Sequence, residues 1–153
     1  MTDNKLQKSF KSDVQSLLNT LTDNADGENI IVGTEEEPII TNSEKHFFMD
    51  GVYIRKMTMY KDQAVVGAIH KHLHMCFLLS GHLTISSEEG VFEYKAPCHV
   101  IATPGTQRVL YAHEDSVWYN THKNPTNTED VKQLETDTVA LNQEEYEQYI
   151  KNK

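Results

Sequence analysis

The stretch GAIHKHLHMCFLLSG, residues 67–81, is the most informative run of the sequence. In a β-strand successive side chains point to opposite faces, so His70, His72 and His74 would all project to one side. Neutral imidazole is a common ligand of divalent transition metals. The run therefore predicts a strand, ended by Gly81, whose histidine face either binds a metal or lines a polar cavity.

A single flat strand limits that metal site. Same-face neighbours lie about 6.5–7 Å apart, whereas each nitrogen must come within about 2.1 Å of the ion. Three successive histidines reach one ion only if the strand bends or bulges. A site formed by two of them and a ligand from another strand is easier to build. We take His70, His72 and His74 as the candidate metal ligands, with polar lining as the alternative.

Short β-like runs surround this stretch, with turn residues such as Ser80-Gly81 and Pro104-Gly105 between them. The predicted strands are residues 30–32, 38–40, 51–60, 65–79, 82–86, 91–94, 99–103, 108–111 and 117–121. Many short strands at close spacing are typical of an all-β sandwich or barrel, not of a βαβ sheet.

Helices are predicted at both ends of the chain. Apolar residues recur at spacings of three and four over residues 4–22, namely Leu6, Phe10, Val14, Leu17, Leu18 and Leu21. This amphipathic helix can pack on its own domain or on a second subunit. Thr128 is predicted to cap a helix through Leu134, and Asn142 another through Ile150. We therefore divide one domain into an N-terminal helix (1–28), a β-barrel (29–122) and a linker with a helical tail (123–153).

Composition narrows the class of protein. The 153 residues carry a net charge of −9, which argues against nucleic acid or an anionic membrane as a partner. Cys76 and Cys98 lie in apolar runs and read as reduced core residues. No signal-peptide pattern and no run of about 18 apolar residues is found, so a cytoplasmic location is expected.

The order of histidine cluster, glycine turn and Pro-Gly turn resembles the cupin superfamily. That resemblance implies a jelly-roll barrel, also called a double-stranded β-helix, with two motifs that supply three histidines and an acid to a metal. In this chain His74 stands at the acidic position, and the second motif, residues 102–108, has Arg108 where the last histidine would be. Arginine does not bind a metal as a neutral ligand, so the usual four-ligand set is not intact.

A closer resemblance covers residues 52–122 and is to small cupin proteins of tailed phages and prophages. The matching residues are Gly67, Ile69, His70, Lys71, Glu89, Gly90, Ala96, Pro97, Pro104, Gly105, Arg108, Glu114, Asp115, Val117, Trp118 and His122. The resemblance implies a fold and, for a phage protein, the host cytoplasm, but it implies no activity.

A ligand site is predicted beside the histidines. Trp118, Asn120 and His122 share a strand face, and Arg108 and Tyr111 complete the candidate set. The planar guanidinium of an arginine can donate two parallel hydrogen bonds to a carboxylate or phosphate, and an indole ring can stack on a flat ring of a ligand. A small anionic or nucleotide-like ligand is therefore expected. Alternatively, Arg108 pairs with Glu114 or Asp115, and Trp118 is a core residue.

Three functions remain open at this point. The first is a phage-type cupin that binds a small anionic ligand and sequesters or alters a host metabolite or signal. The second is a metal-dependent cupin enzyme, an oxygenase, isomerase or lyase, with Fe, Mn, Ni or Zn as cofactor and with unassigned catalytic residues. The third is an oligomeric structural or virion-associated protein, for which a homodimer is the default symmetry.

Overall fold

The computed structural model describes residues 3–32 and 43–153. Helix α1 spans Asp3–Asp23, and α2 (Val131–Thr138) and α3 (Gln143–Lys151) lie near the other end of the chain. The strands are β1 (Ile30–Val32), β2 (Ser43–Met49), β3 (Val52–Met59), β4 (Ala64–Val66), β5 (Ile69–His70), β6 (His74–Ser80), β7 (His82–Ser87), β8 (Gly90–Lys95), β9 (Cys98–Ala102), β10 (Val109–Ala112), β11 (Ser116–Lys123) and β12 (Val139–Ala140). The predicted mostly-β class with terminal helices is confirmed.

Two five-stranded sheets make up the body of the described chain. The first has the order β1-β4-β10-β7-β8 and the second the order β2-β3-β11-β6-β9, and both are open in this pairing. Alternation along each strand sends one set of side chains inward; on β7, for example, Leu83 and Ile85 are buried while His82 and Thr84 are not. The inward side chains of both sheets meet in one hydrophobic core, which includes Met59, Leu78, Leu83, Leu110 and Trp118.

Helix α1 packs on its own domain. Val14 and Leu18 are buried and form a small apolar cluster with Val66 of β4 and Val109 of β10. Of the two alternatives for this helix, the described side chains therefore support packing against the first sheet. No helix in the described ranges has the length and apolar character needed to cross a lipid bilayer.

The segment predicted as one strand over residues 65–79 is divided into β4, β5 and β6. The chain leaves the strand twice because its backbone bonds to other partners: the Gly67 N–H donates to the Arg108 carbonyl and the Lys71 N–H to the Thr138 carbonyl, both at 2.8 Å. Strand β5 pairs with β12, which comes from the C-terminal segment. The prediction of one continuous histidine strand was therefore wrong.

Two other details differ from the sequence predictions. The cap of α2 is Asp130, whose carboxylate accepts the N–H groups of Lys132 and Gln133, because the helix begins after the turn that contains Thr128. Strand β2 was not predicted, and the predicted run 38–40 lies outside the described residues. Asn142 caps α3 as expected, accepting the Glu145 N–H.

Candidate functional site

Three imidazole rings meet at one end of the second sheet. The ring centroids of His70 and His74 are 4.1 Å apart, those of His74 and His122 4.5 Å, and those of His70 and His122 5.5 Å. One nitrogen from each ring lies within 4.8 Å of the other two. We call His70, His74 and His122 the histidine cluster.

Strand pairing places these rings. Strands β6 and β11 are neighbours with Met75 opposite Thr121, so the preceding His74 and the following His122 come side by side. His70 arrives from β5, where its backbone pairs with Val139. Its carbonyl also accepts the N–H of Gly105 at 2.9 Å, so the Pro-Gly turn anchors the third ring.

The three histidines are held in their neutral form. Burial lowers the pKa of His70 and His122 well below the usual value, and the neighbouring rings and Arg55 lower both further. Burial also lowers the pKa of His74 to about 4, although hydrogen bonding to the His72 carbonyl and to Asn120 partly opposes this. At neutral pH each ring therefore keeps a lone pair on one nitrogen.

Hydrogen bonding indicates which nitrogen of His74 has that lone pair. Its Nδ1 lies 3.3 Å from the carbonyl oxygen of His72, which can only accept, so Nδ1 carries the proton. Its Nε2 and the Nδ1 of His70 are buried and make no hydrogen bond of ordinary geometry with the described residues. A ring N–H bonded to a backbone carbonyl, with the other nitrogen free, is the usual arrangement of a metal-binding histidine.

A cavity of about 200 Å³ adjoins the histidine cluster. His70 forms part of its wall, and apolar side chains of both sheets, such as Val65 of the first and Met57 of the second, form another part. Its polar wall residues are Thr22, Arg55, His70, Cys76, Gln107, Arg108, Trp118, Asn120 and Glu135.

Arg55 and Glu135 form an ion pair at the cavity wall. The nitrogen Nη1 lies 3.6 Å from Oε2, and the two side chains are only 11% and 10% exposed. Burial raises the pKa of Glu135, and the guanidinium of Arg55 opposes that rise. The Nε of Arg55 is buried and has no hydrogen-bond partner among the described residues. This cation therefore retains a donor for a further group.

Most of the predicted site residues lie at or near this cavity. Trp118 and Asn120 line it, and they bond to each other through the indole N–H at 3.2 Å. Trp118 also belongs to the hydrophobic core, so it is both a core residue and part of the cavity wall. Arg108 lines the cavity and donates to the Ile101 carbonyl at 2.9 Å.

Two predicted residues lie elsewhere. His72 lies in the irregular segment between β5 and β6. The centroid of its ring is 6.2 Å from that of Tyr149, and the two rings are in an edge-to-face arrangement. Tyr111 is exposed, and its hydroxyl donates to Asp62 at 2.9 Å. The structure thus brings together two of the three histidines of the first run with His122 from another strand.

Arg55 and Glu135 were missed by the sequence interpretation. Arg55 shares its face of β3 with the buried Tyr53, Met57 and Met59, and this alternation was a readable signal. Glu135 lies on the inner side of α2 next to Leu134, and no pattern in that short helix marks it.

The sequence matches no protein-family model and no curated protein. Among solved structures, the chain is similar to a double-stranded β-helix protein from Klebsiella pneumoniae, with 14% identity, a TM-score of 0.49 and coverage of 63% of this chain and 92% of that one. It is also similar to a cupin-2 domain protein from Shewanella frigidimarina (10%, TM-score 0.45, 54% and 82%) and to the EutQ protein of Clostridium difficile (10%, 0.45, 54% and 67%). At these identities the likeness concerns shape and assigns no activity.

Proposed function

We propose that this protein binds a divalent transition metal at the histidine cluster and a small anionic ligand in the adjoining cavity. The observation that supports this proposal best is the convergence of three neutral imidazoles, with nitrogens within 4.8 Å of one another. Nitrogens bound to one ion at about 2.1 Å are about 3–4 Å apart, so only small side-chain shifts are needed.

The donor set fits a metal such as Fe, Mn, Ni or Zn. Imidazole suits these ions, and the Nδ1 of His70 and the Nε2 of His74 are buried ring nitrogens that make no hydrogen bond of ordinary geometry with the described residues. Three protein ligands leave a coordination position for a small molecule. Bound there, the ion would supply a Lewis acid next to the cavity.

The charges around the site favour an anionic ligand. Three neutral histidines do not neutralise a divalent ion, and Arg55 and Arg108 add positive charge at the cavity wall. Glu135 supplies one negative charge, and Arg55 lies beside it. A carboxylate or phosphate would balance the remaining charge and accept the free N–H of Arg55.

The cavity volume narrows the ligand class. About 200 Å³ is below the roughly 300–1,000 Å³ of sites for drug-sized ligands. A small carboxylic acid is therefore favoured over a nucleotide.

Metal counting and calorimetry test this proposal. After treatment with a chelator and reloading with Zn²⁺, the His74→Ala variant should hold one ion per chain fewer than the wild type. The wild type should bind succinate only when it is loaded with Zn²⁺. Arg108→Ala should weaken succinate binding by about tenfold or more, the usual effect of losing a hydrogen bond from a charged group. An unchanged metal count in His74→Ala would contradict the metal site, and unchanged succinate binding in Arg108→Ala would contradict the anion site.

A second candidate is anion binding without a metal, favoured by the buried, unpartnered Nε of Arg55. Under this alternative succinate binds equally well before and after chelation, while the Arg108→Ala effect remains. A metal-dependent enzyme is an extension of the first candidate, in which Glu135, with its raised pKa and its place at the cavity wall, would be the group available for proton transfer.

We also propose three further properties. The two sheets close into a cupin barrel, the protein is related to phage-encoded cupins, and it forms a homodimer. The resemblance over residues 52–122 supports the first two.

A further inference from the structure

A second group of metal-binding side chains lies on the outer face of the first sheet. The Nε2 of His82 is 2.8 Å from Oε1 of Glu93, and the rings of His82 and His113 are 4.3 Å apart. One ligand atom from each of the three residues lies within 4.8 Å of the other two. We call His82, Glu93 and His113 the outer cluster.

The outer cluster is independent of the histidine cluster. On β7 the side chains of Leu83 and Ile85 enter the core, so His82 projects to the opposite side of the sheet. None of its three residues lines the interior cavity. A ligand could reach it directly from solvent, because the Glu93 side chain is 63% and the His82 side chain 20% exposed.

Three adjacent backbone segments hold the outer cluster in place. Strand β7 pairs with β8 on one side and with β10 on the other, and the His113 N–H donates to the His82 carbonyl at 3.0 Å. The Thr84 hydroxyl lies 2.6 Å from Nε2 of His113 and fixes that ring. His82 and Glu93 lie on paired strands, where side chains are more precisely positioned than on loops, and the two hydrogen bonds of His113 hold the third ligand beside them, which favours a preformed site.

We propose that the outer cluster is a second site for a divalent transition metal, with two imidazole nitrogens and one carboxylate oxygen as ligands. The ion would take the place of the hydrogen bond between Nε2 of His82 and Oε1 of Glu93, beside the ring of His113. Two nitrogens and one oxygen suit Zn²⁺, Co²⁺, Ni²⁺ or Cu²⁺ better than Mg²⁺ or Ca²⁺.

Cobalt titration of the full-length, chelator-treated protein tests the proposal. The variants are His82→Ala, His113→Ala and Glu93→Gln, and the matched control is His99→Ala, an exposed histidine on the other sheet. Each of the three variants should bind one Co²⁺ fewer than the wild type, and Mg²⁺ should not compete. The exposed Glu93 makes Glu93→Gln the variant least able to disturb folding. Circular dichroism checks that each variant is folded.

The outcomes separate this site from the interior one. If His82→Ala, His113→Ala and Glu93→Gln bind as many ions as the wild type, the outer site is overturned, whatever His74→Ala does. If His82→Ala loses an ion while His74→Ala does not, the outer site stands and the interior metal site fails. Loss of one ion in His99→Ala would also overturn the proposal, because that residue belongs to neither cluster.

Discussion

The rings of His70 and His74 are neighbours at 4.1 Å although an irregular segment, residues 71–73, separates their strands. His72, inside that segment, is the one histidine of the run directed toward Tyr149. Three histidines at alternating positions thus divide into two that face each other and one that does not.

This division predicts different effects of matched alanine substitutions. His74→Ala and His122→Ala should each weaken metal binding by more than the roughly 10–100-fold typical of a residue that only supports a ligand, because each removes a ligand nitrogen. His72→Ala should change the affinity little. Isothermal titration calorimetry with Zn²⁺ in the Glu93→Gln background measures the interior site alone. Equal losses in His72→Ala and His74→Ala would contradict the assignment.

The lowered histidine pKa values predict a loss of stability in acid. In the unfolded chain a histidine binds a proton below about pH 6.5, whereas folded His74 does so only near pH 4. Between these values the unfolded state binds more protons, so the free energy of unfolding falls as the pH decreases from 6.5 to 4. His74 alone contributes of the order of 3 kcal/mol to this fall.

Urea unfolding of the metal-free protein at several pH values measures this effect. Glu135 acts in the opposite sense, because its raised pKa makes the folded state lose stability as the pH rises above about 4.5. His74→Gln should therefore flatten the slope between pH 6.5 and 4, and His99→Ala, on the exposed face, should not. Identical slopes in the wild type and His74→Gln would show that His74 is not held neutral.

The ion pair of Arg55 and Glu135 predicts strong coupling between two substitutions. Arg55→Met leaves the buried Glu135 carboxylate uncompensated and should lower the free energy of unfolding by about 3–5 kcal/mol at neutral pH. The double variant Arg55→Met/Glu135→Leu should recover most of that loss, because neither charge is then left alone. A double-mutant cycle from urea unfolding gives the coupling. Additive effects would contradict an energetically important pair.

The packing of α1 predicts a contrast between adjacent leucines. Leu18 is 5% exposed and contacts the first sheet, whereas Leu17 is 42% exposed. Leu18→Ala should lower the free energy of unfolding by about 2–3 kcal/mol, and Leu17→Ala by less than about 0.5 kcal/mol. Chemical denaturation of the two variants is the measurement. A larger effect at Leu17 would indicate that this helix face contacts another subunit.

Much of the fold could be predicted because alternation along strands is a strong local signal. The side chains of Trp118, Asn120 and His122 share the buried face of β11, as their spacing indicates. The same alternation on β3 identifies Arg55 as an inward cation among apolar neighbours. Residues on regular strands are therefore accessible to reasoning from sequence.

The rest of the site depends on long-range pairing, which no local pattern shows. The strand break before His74 arises because Lys71 bonds to Thr138, far along the chain. Glu135 reaches the cavity only because the segment with α2 and β12 folds back beside β5. A single sequence does not reveal such contacts, and His72 was included among the predicted ligands for this reason.

Trp118 has a practical consequence for any study of this molecule. It is the one tryptophan of the chain, it is buried, and it stands in the cavity wall with its indole N–H bonded to Asn120. Tryptophan fluorescence from the protein therefore originates at a single place, in the wall of the cavity that Arg108 and His70 also line. Binding and release of a ligand in the cavity can therefore be followed by intrinsic tryptophan fluorescence, without an attached label.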